Sequence, residues 1–199
     1  NIINCCKIYN VKHLLYASTS SVYGNSKNKE SKENHNTSEP LSFYAATKKT
    51  NEVMAYSYSN IYNIPITGMR FFTVYGPYGR PDMALYTFAN LIKKNRTINL
   101  FNKGVHNRDF TYIDDVVNSI KLLLNKPSKN KIPNRVINIG NSKSINLMEF
   151  ISIIEKKLGK KGKKRNMALQ KGDVKSTKSN IDLLRNITNY RPSVSVDSG

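Results

Sequence analysis

Short apolar runs alternate with segments of helical period along most of this chain, and that alternation narrows the possible folds sharply. His13 to Ser18 (HLLYAS) reads as a buried strand that delivers Thr19, Ser20 and Ser21 at its C-terminal end. Gly24 to Leu41 is polar and turn-rich, which predicts a surface loop. Ser42 then precedes a helical pattern to about Tyr62, followed by Pro65 and a second buried strand, Ile66 to Phe72. Beyond the turn YGPYGRPD come a helix from about Met83 to Lys94 and a short strand, Ile98 to Phe101. Ile113 to Leu124 places Ile113, Val116, Val117, Ile120, Leu123 and Leu124 on one helical stripe. A strand, Arg135 to Ile139, leads into a helix, Leu147 to Leu158, where Asn146 and Glu149 have capping-box spacing. Strands alternating with helices predict an α/β fold with a mainly parallel sheet covered on both sides. Such folds bind ligands in the crevice beyond the strand C-termini, where Thr19 and Thr73 would open.

With 199 residues, 39% of them hydrophobic, the chain can bury one sizeable core. Its net charge of +19 raises the question of nucleic acid, but the basic residues are scattered and the aromatics lie in apolar-periodic segments. The one dense run, Lys156 to Arg165 (KKLGKKGKKR), follows an amphipathic helix and is expected to be a solvated helix end complementing the dipole. No nucleic-acid partner is therefore expected. No apolar run approaches the roughly eighteen residues of a membrane span, and the adjacent pair Cys5-Cys6 cannot form a secreted disulfide framework. These features predict a soluble protein of a reducing compartment, the cytoplasm. The chain opens at Asn1 inside an apolar-periodic stretch and stops at Ser198-Gly199 without a closing element, as a fragment would. His13, His35 and His106 are far apart with no Cys or His at ligand spacing, so no metal site is expected, and no G-x-S-x-G elbow is present.

Chemistry enters with Tyr44-Ala-Ala-Thr-Lys48, which sets a phenol and an ammonium at i and i+4 on one helix face. A cation so placed favours the phenolate and would make Tyr44 a general base. Alone, the pair is equally an exposed helix contact. Around it stand Thr19-Ser20-Ser21-Val22-Tyr23-Gly24 and Phe71-Phe72-Thr73-Val74-Tyr75-Gly76-Pro77, and the combination resembles the extended short-chain dehydrogenase/reductase family of NAD-dependent nucleotide-sugar epimerases and dehydratases. The resemblance continues through Arg80-Pro81-Asp82-Met83-Ala84, Arg108 to Asp115, Asn138-Ile139-Gly140-Asn141 and Gln170 to Val174, and is strongest to the UDP-glucuronate 4-epimerase branch. It implies the C-terminal part of a Rossmann-like doubly wound sheet with a smaller substrate-binding α/β subdomain. Residues 1–77 would be the second half of the NAD-binding domain. Residues 78–199 would mainly hold a UDP-sugar, with the segment around 105–140 returning to the first domain. The family's glycine-rich dinucleotide fingerprint does not occur in these 199 residues, so they are expected to be inactive by themselves.

The resemblance also implies roles. Tyr44 would be the base at the sugar 4-hydroxyl, Lys48 would bind the nicotinamide ribose, and Thr19 would share the 4-hydroxyl proton. The main chain near Phe72 would pack by the nicotinamide. Arg108 would hold the diphosphate, Asp173 the nucleotide ribose, and Arg80 would lie on a loop closing over the substrate. Ser20, Ser21 and Thr73 would donate to the C6 carboxylate. The implied reaction is transient oxidation at C4 and return of the hydride to the other face, giving UDP-galacturonate, in a homodimer. Decarboxylation or 4,6-dehydration is the alternative within the family, although relatives running those reactions carry acids where Ser20 and Ser21 stand here. A binding or scaffolding protein that keeps the fold without turnover is the alternative outside catalysis. Each site residue also has a plain structural reading. Arg108-Asp109 could be a surface pair, Asp114-Asp115 first-turn helix acids, and Asp173 a turn residue.

Overall fold

The computed structural model describes residues 1–26, 28–168, 174 and 176–199. Along the chain, α1 (Ile2–Ile8) leads to β1 (Leu14–Thr19), a single 3-10 turn (Ser20–Tyr23), α2 (Phe43–Tyr62), β2 (Ile66–Phe71) and β3 (Thr73–Tyr75). Then follow α3 (Ala84–Lys93), β4 (Thr97–Phe101), β5 (Asn107–Tyr112), α4 (Ile113–Leu124), β6 (Asn134–Ile139) and β7 (Ser144–Asn146). The last elements are α5 (Leu147–Leu158), β8 (Lys163–Met167) and α6 (Asp182–Thr188).

Among the described residues three small sheets form, and the α/β expectation holds. The first, in order β1-β2-β6, is wholly parallel, with Thr19 opposite Phe71 and Phe71 opposite Ile139. Apolar side chains cover both of its faces, as a parallel sheet requires. Met69, Ile137 and Ile139 pack on Val116 and Leu123 of α4 and Leu184 of α6, while Ala55 of α2 packs with Ile64 and Ile66. A second sheet, β3-β5-β7, pairs β3 and β5 in parallel, and a third joins β4 to β8. Their common core is aromatic: the rings of Phe110 and Phe150 stack at 4.1 Å and Tyr75 meets both edge-on.

Local chemistry explains the element ends. The Ser42 hydroxyl accepts from the Ala45 N–H and caps α2, and Asn63 ends it in the left-handed conformation. Asn146 caps α5 by accepting from the Met148 N–H at 2.8 Å. Gly76, at φ 140°, is required where the chain leaves β3, since a Cβ there would lie 2.5 Å from the Ile113 side chain.

The basic run is solvated as expected but does not simply end a helix: α5 stops at Leu158, and the exposed Lys163 to Arg165 form the start of β8. Glu155, almost fully buried, gathers the run, accepting from the Gly162 N–H at 2.7 Å and from Lys164. A lysine-rich sequence shows no strand period, so the pairing of β8 with β4 was not visible in it.

Candidate functional site

The C-terminal end of β1 and the start of β3, just beyond β2, open into a cavity of about 400 Å³. Ser20, Ser21 and Thr73 line it, and Arg108 of β5 reaches it from the second sheet. These four predicted residues are brought together. Arg108 also lines a neighbouring cavity of about 510 Å³ with Thr73, Phe88, Phe101, Phe110 and Leu147. One guanidinium therefore stands where a polar chamber meets a more apolar one, with its Nη1 donating to the Asn107 carbonyl at 3.1 Å.

Thr19 is buried under the floor. Its hydroxyl accepts from the Ser21 N–H and donates to the Ser21 Oγ, both at 3.2 Å, so it caps the 3-10 turn and sets the direction of Ser20 and Ser21. Phe72 is buried against Val22 and Tyr23, and its N–H donates to the Ile139 carbonyl. Its backbone thereby carries the chain from the first sheet to Thr73.

Tyr44 and Lys48 lie side by side on the first turns of α2, the ammonium 5.9 Å from the phenol ring centre. Tyr44 is 53% exposed. Lys48 donates to the Ala17 carbonyl at 3.2 Å, which pins the helix start to the end of β1. Neither is among the residues that line the cavity, whose wall includes Leu41 and Ser42 just ahead of them in the chain.

Arg80 is not in that wall. It forms an exposed two-pronged pair with Asp82, at 3.1 and 2.8 Å, on the loop after β3. Asp173 lies outside the described residues, although Val174, Ser176 and Thr177 line the cavity.

Asp109 departs from its plain reading, and Asp115 is the first-turn helix acid expected but also holds a distant segment. Asp109 is wholly buried, not a surface group: it accepts from the N–H groups of Asn141, Ser142 and Ser179 and from the Ser179 hydroxyl. Burial pushes its carboxyl above the ordinary range, and those four donors only partly offset this. Gly140 permits the arrangement, since a Cβ there would lie 2.3 Å from the Ser179 Oγ. Asp115, in the first turn of α4, accepts from the Tyr190 hydroxyl at 2.5 Å and from the N–H groups of Ser193 and Val194. The polar loop 24–41, read only as surface, also supplies cavity wall through Asn28, Glu30 and Ser31. Among the described residues no group of His, Cys, Asp or Glu could hold a metal ion, and no helix is long and apolar enough to cross a membrane.

Known proteins arrange the same elements in the same way. The model of the NAD dependent epimerase/dehydratase family matches residues 1–140. The chain belongs to this family. Among its members, Protein CapI of Staphylococcus aureus is 46% identical over all of this chain and 64% of its own length. A protein described as a probable UDP-glucuronate 4-epimerase from Rhizobium meliloti is 42% identical over all of this chain and 63% of its own length. The crystal structure of the UDP-glucuronic acid 4-epimerase from Bacillus cereus, in complex with UDP-glucuronic acid and NAD, superposes with a TM-score of 0.91 at 34% identity. That superposition covers all of this chain and 62% of the Bacillus cereus chain. The chain thus spans less than two thirds of the length of these family members.

Proposed function

We propose that this chain is the catalytic and sugar-nucleotide-binding part of an NAD-dependent UDP-glucuronate 4-epimerase. The observation that carries the reading is the gathering of three neutral hydroxyls, Ser20, Ser21 and Thr73, with Arg108 on one cavity, whose wall includes Leu41 and Ser42 at the start of the helix that bears the Tyr44–Lys48 pair. Arg108 offers a planar fork to a diphosphate. The three hydroxyls donate to the C6 carboxylate without repelling it. Oxidation at C4 leaves a ketone β to that carboxylate, and such acids lose CO2 when the breaking bond aligns with the carbonyl π system. Holding the carboxylate out of that alignment is what separates epimerisation from decarboxylation.

Tyr44 takes the 4-hydroxyl proton and returns it, and Thr19, through Ser21, orients the hydroxyl cluster next to it. The donor set fits the nicotinamide-ribose end of NAD: a half-exposed phenol and an ammonium project from one helix turn by the end of β1. NAD, when bound, accepts the C4 hydride and gives it back. No glycine-rich turn for its pyrophosphate occurs in these 199 residues. The outer face of α2 exposes Phe43, Val53, Met54, Tyr56 and Ile61, which favours burial against a second copy of the chain.

The test is incubation of the whole protein with NAD and UDP-glucuronate, with products read by mass and NMR. UDP-galacturonate of unchanged mass is expected. A UDP-pentose would establish the decarboxylase instead, and binding without any turnover would establish the scaffolding alternative.

A further inference from the structure

Tyr44, Lys48 and Glu52 recur every fourth residue along α2 and so share one stripe of the helix. A lysine followed four residues later by a glutamate ordinarily pairs with it. Here the pair is not made. Glu52 is buried, and its carboxylate accepts from Arg70 Nε and Nη2, both at 2.8 Å, and from the Ser18 hydroxyl at 2.7 Å. Lys49 adds a contact at 3.3 Å. Lys48 instead donates to the carbonyl of Ala17, the residue next to Ser18 on β1. The ammonium and the carboxylate are thus held on adjacent residues of one strand yet kept apart.

What keeps them apart is Arg70, buried on β2. Its third nitrogen donates to the Tyr23 hydroxyl at 3.0 Å and the Glu33 carbonyl at 3.1 Å, so the guanidinium is locked on both sides. We propose that Arg70 is a positioning residue that closes Glu52 into a buried neutral pair, so that Lys48 is left to serve Tyr44. The proposal rests on Tyr44 being the general base. Other charged or titratable groups facing the pair are Lys49 from α2, the Tyr16 phenol from β1, the Tyr23 phenol from the 3-10 turn, and Glu33 from the following loop. Arg80 is the further charge that acts on Tyr44. Burial works against the Glu52 carboxylate, but the hydrogen bonds and charge of Arg70 hold it below the ordinary range, as a closed ion pair should be held.

Removing Arg70 leaves a buried carboxylate one helical turn from Lys48. That carboxylate then competes for the ammonium and draws it away from the Tyr44 phenol. In the whole protein, Arg70→Met should move the acidic limb of the kcat profile, where the base must have lost its proton, upward by about one pH unit and lower the rate at neutral pH about tenfold. The Tyr44 phenol, followed by 13C NMR without substrate and assigned from Tyr44→Phe, should move with it. Adding Glu52→Gln should return both to the wild-type position, because no anion remains to compete. A merely structural pair would lower the melting temperature without moving either titration. If Arg70→Met does not fold, Arg70→Gln, which keeps one N–H donor and removes the charge, takes its place. An unmoved limb, a shift that Glu52→Gln does not reverse, or loss of folding in both Arg70 variants that Glu52→Gln does not relieve each overturns the proposal. A near-normal rate in Tyr44→Phe instead removes the base itself, which separates failure of the functional reading from failure of this one.

Discussion

Glu52 and Asp109 are both buried carboxylates beside the candidate site, yet the molecule solves the two burials differently. Glu52 sits under the helix that carries Tyr44 and Lys48 and is matched by a full cation, Arg70. Asp109 neighbours Arg108 on β5 and receives only neutral donors, from residues 32 to 70 positions further along the chain. The cation leaves the Glu52–Arg70 pair itself without net charge beneath the Tyr44–Lys48 turn. The neutral donors of the second stitch distant segments into a wall without adding positive charge to that of Arg108. On the proposed function the first region serves a reaction step and the second holds a nucleotide, so damage to each should appear in a different kinetic constant.

The largest effect should fall on the first region. Tyr44→Phe in the whole protein should lower kcat by at least about a hundredfold, the scale of a positioned acid or base. A near-normal rate would remove Tyr44 from the reaction. In the second region, Arg108→Ala should raise KM for the UDP-sugar by about tenfold or more and leave kcat nearly intact, because a charge-assisted contact made in both ground and transition states is uniform binding. Loss confined to kcat would erase the division between the regions.

Asp109→Asn tests the stitching. It turns one acceptor into a donor facing the N–H and hydroxyl groups that Asp109 now receives, and should reduce unfolding free energy by about 2 kcal/mol. Urea titration reads this directly, and an unchanged midpoint would mean that the segments around Asn141 and Ser179 are held by other contacts. A smaller effect is expected from Thr73→Ala or Ser20→Ala: a severalfold larger share of decarboxylated product, read by mass spectrometry. An unchanged ratio in both variants would refute the carboxylate clamp.

The two regions also differ in how far the sequence revealed them. Tyr44, Lys48 and the hydroxyl cluster were legible because they are local: an i,i+4 spacing and the residues that end a strand. Helices α4 and α5 were legible with their observed ends because each carries an unbroken apolar stripe and a clear terminus. Asp109, Asp115 and the Glu52–Arg70 pair were not, because their partners lie 18 to 79 positions away and no short-range period marks a carboxylate as buried. Nor did β5 show itself, since NRDFTY begins with three polar residues, one pointing into the core and one into the cavity. Helix α6, only seven residues long, lacks enough turns for its period to emerge.

The smallest expected effect sharpens the comparison most, because the two carboxylates should oppose each other in acid. The Glu52 carboxyl is held below its ordinary value of 4.5, so the stability it contributes is complete above that pH and is lost as pH falls through its folded value. Asp109 is pushed above its ordinary value of 3.8, so its contribution is complete below that pH and is lost as pH rises through its folded value. On acidification, protons taken up at Asp109 should first stabilise the fold, and protonation of Glu52 should then weaken it. Asp109→Asn should therefore make stability decline more steeply over the range above the ordinary carboxylate value in which Asp109 takes up its proton, because the early gain is gone. The double variant Glu52→Gln with Arg70→Met, which leaves no lone buried charge, should flatten the decline at lower pH instead. Urea unfolding curves collected across that range give the slopes. Parallel slopes in wild type and Asp109→Asn would show that four neutral donors match burial as completely as a cation does, and the two regions would then be electrostatically alike.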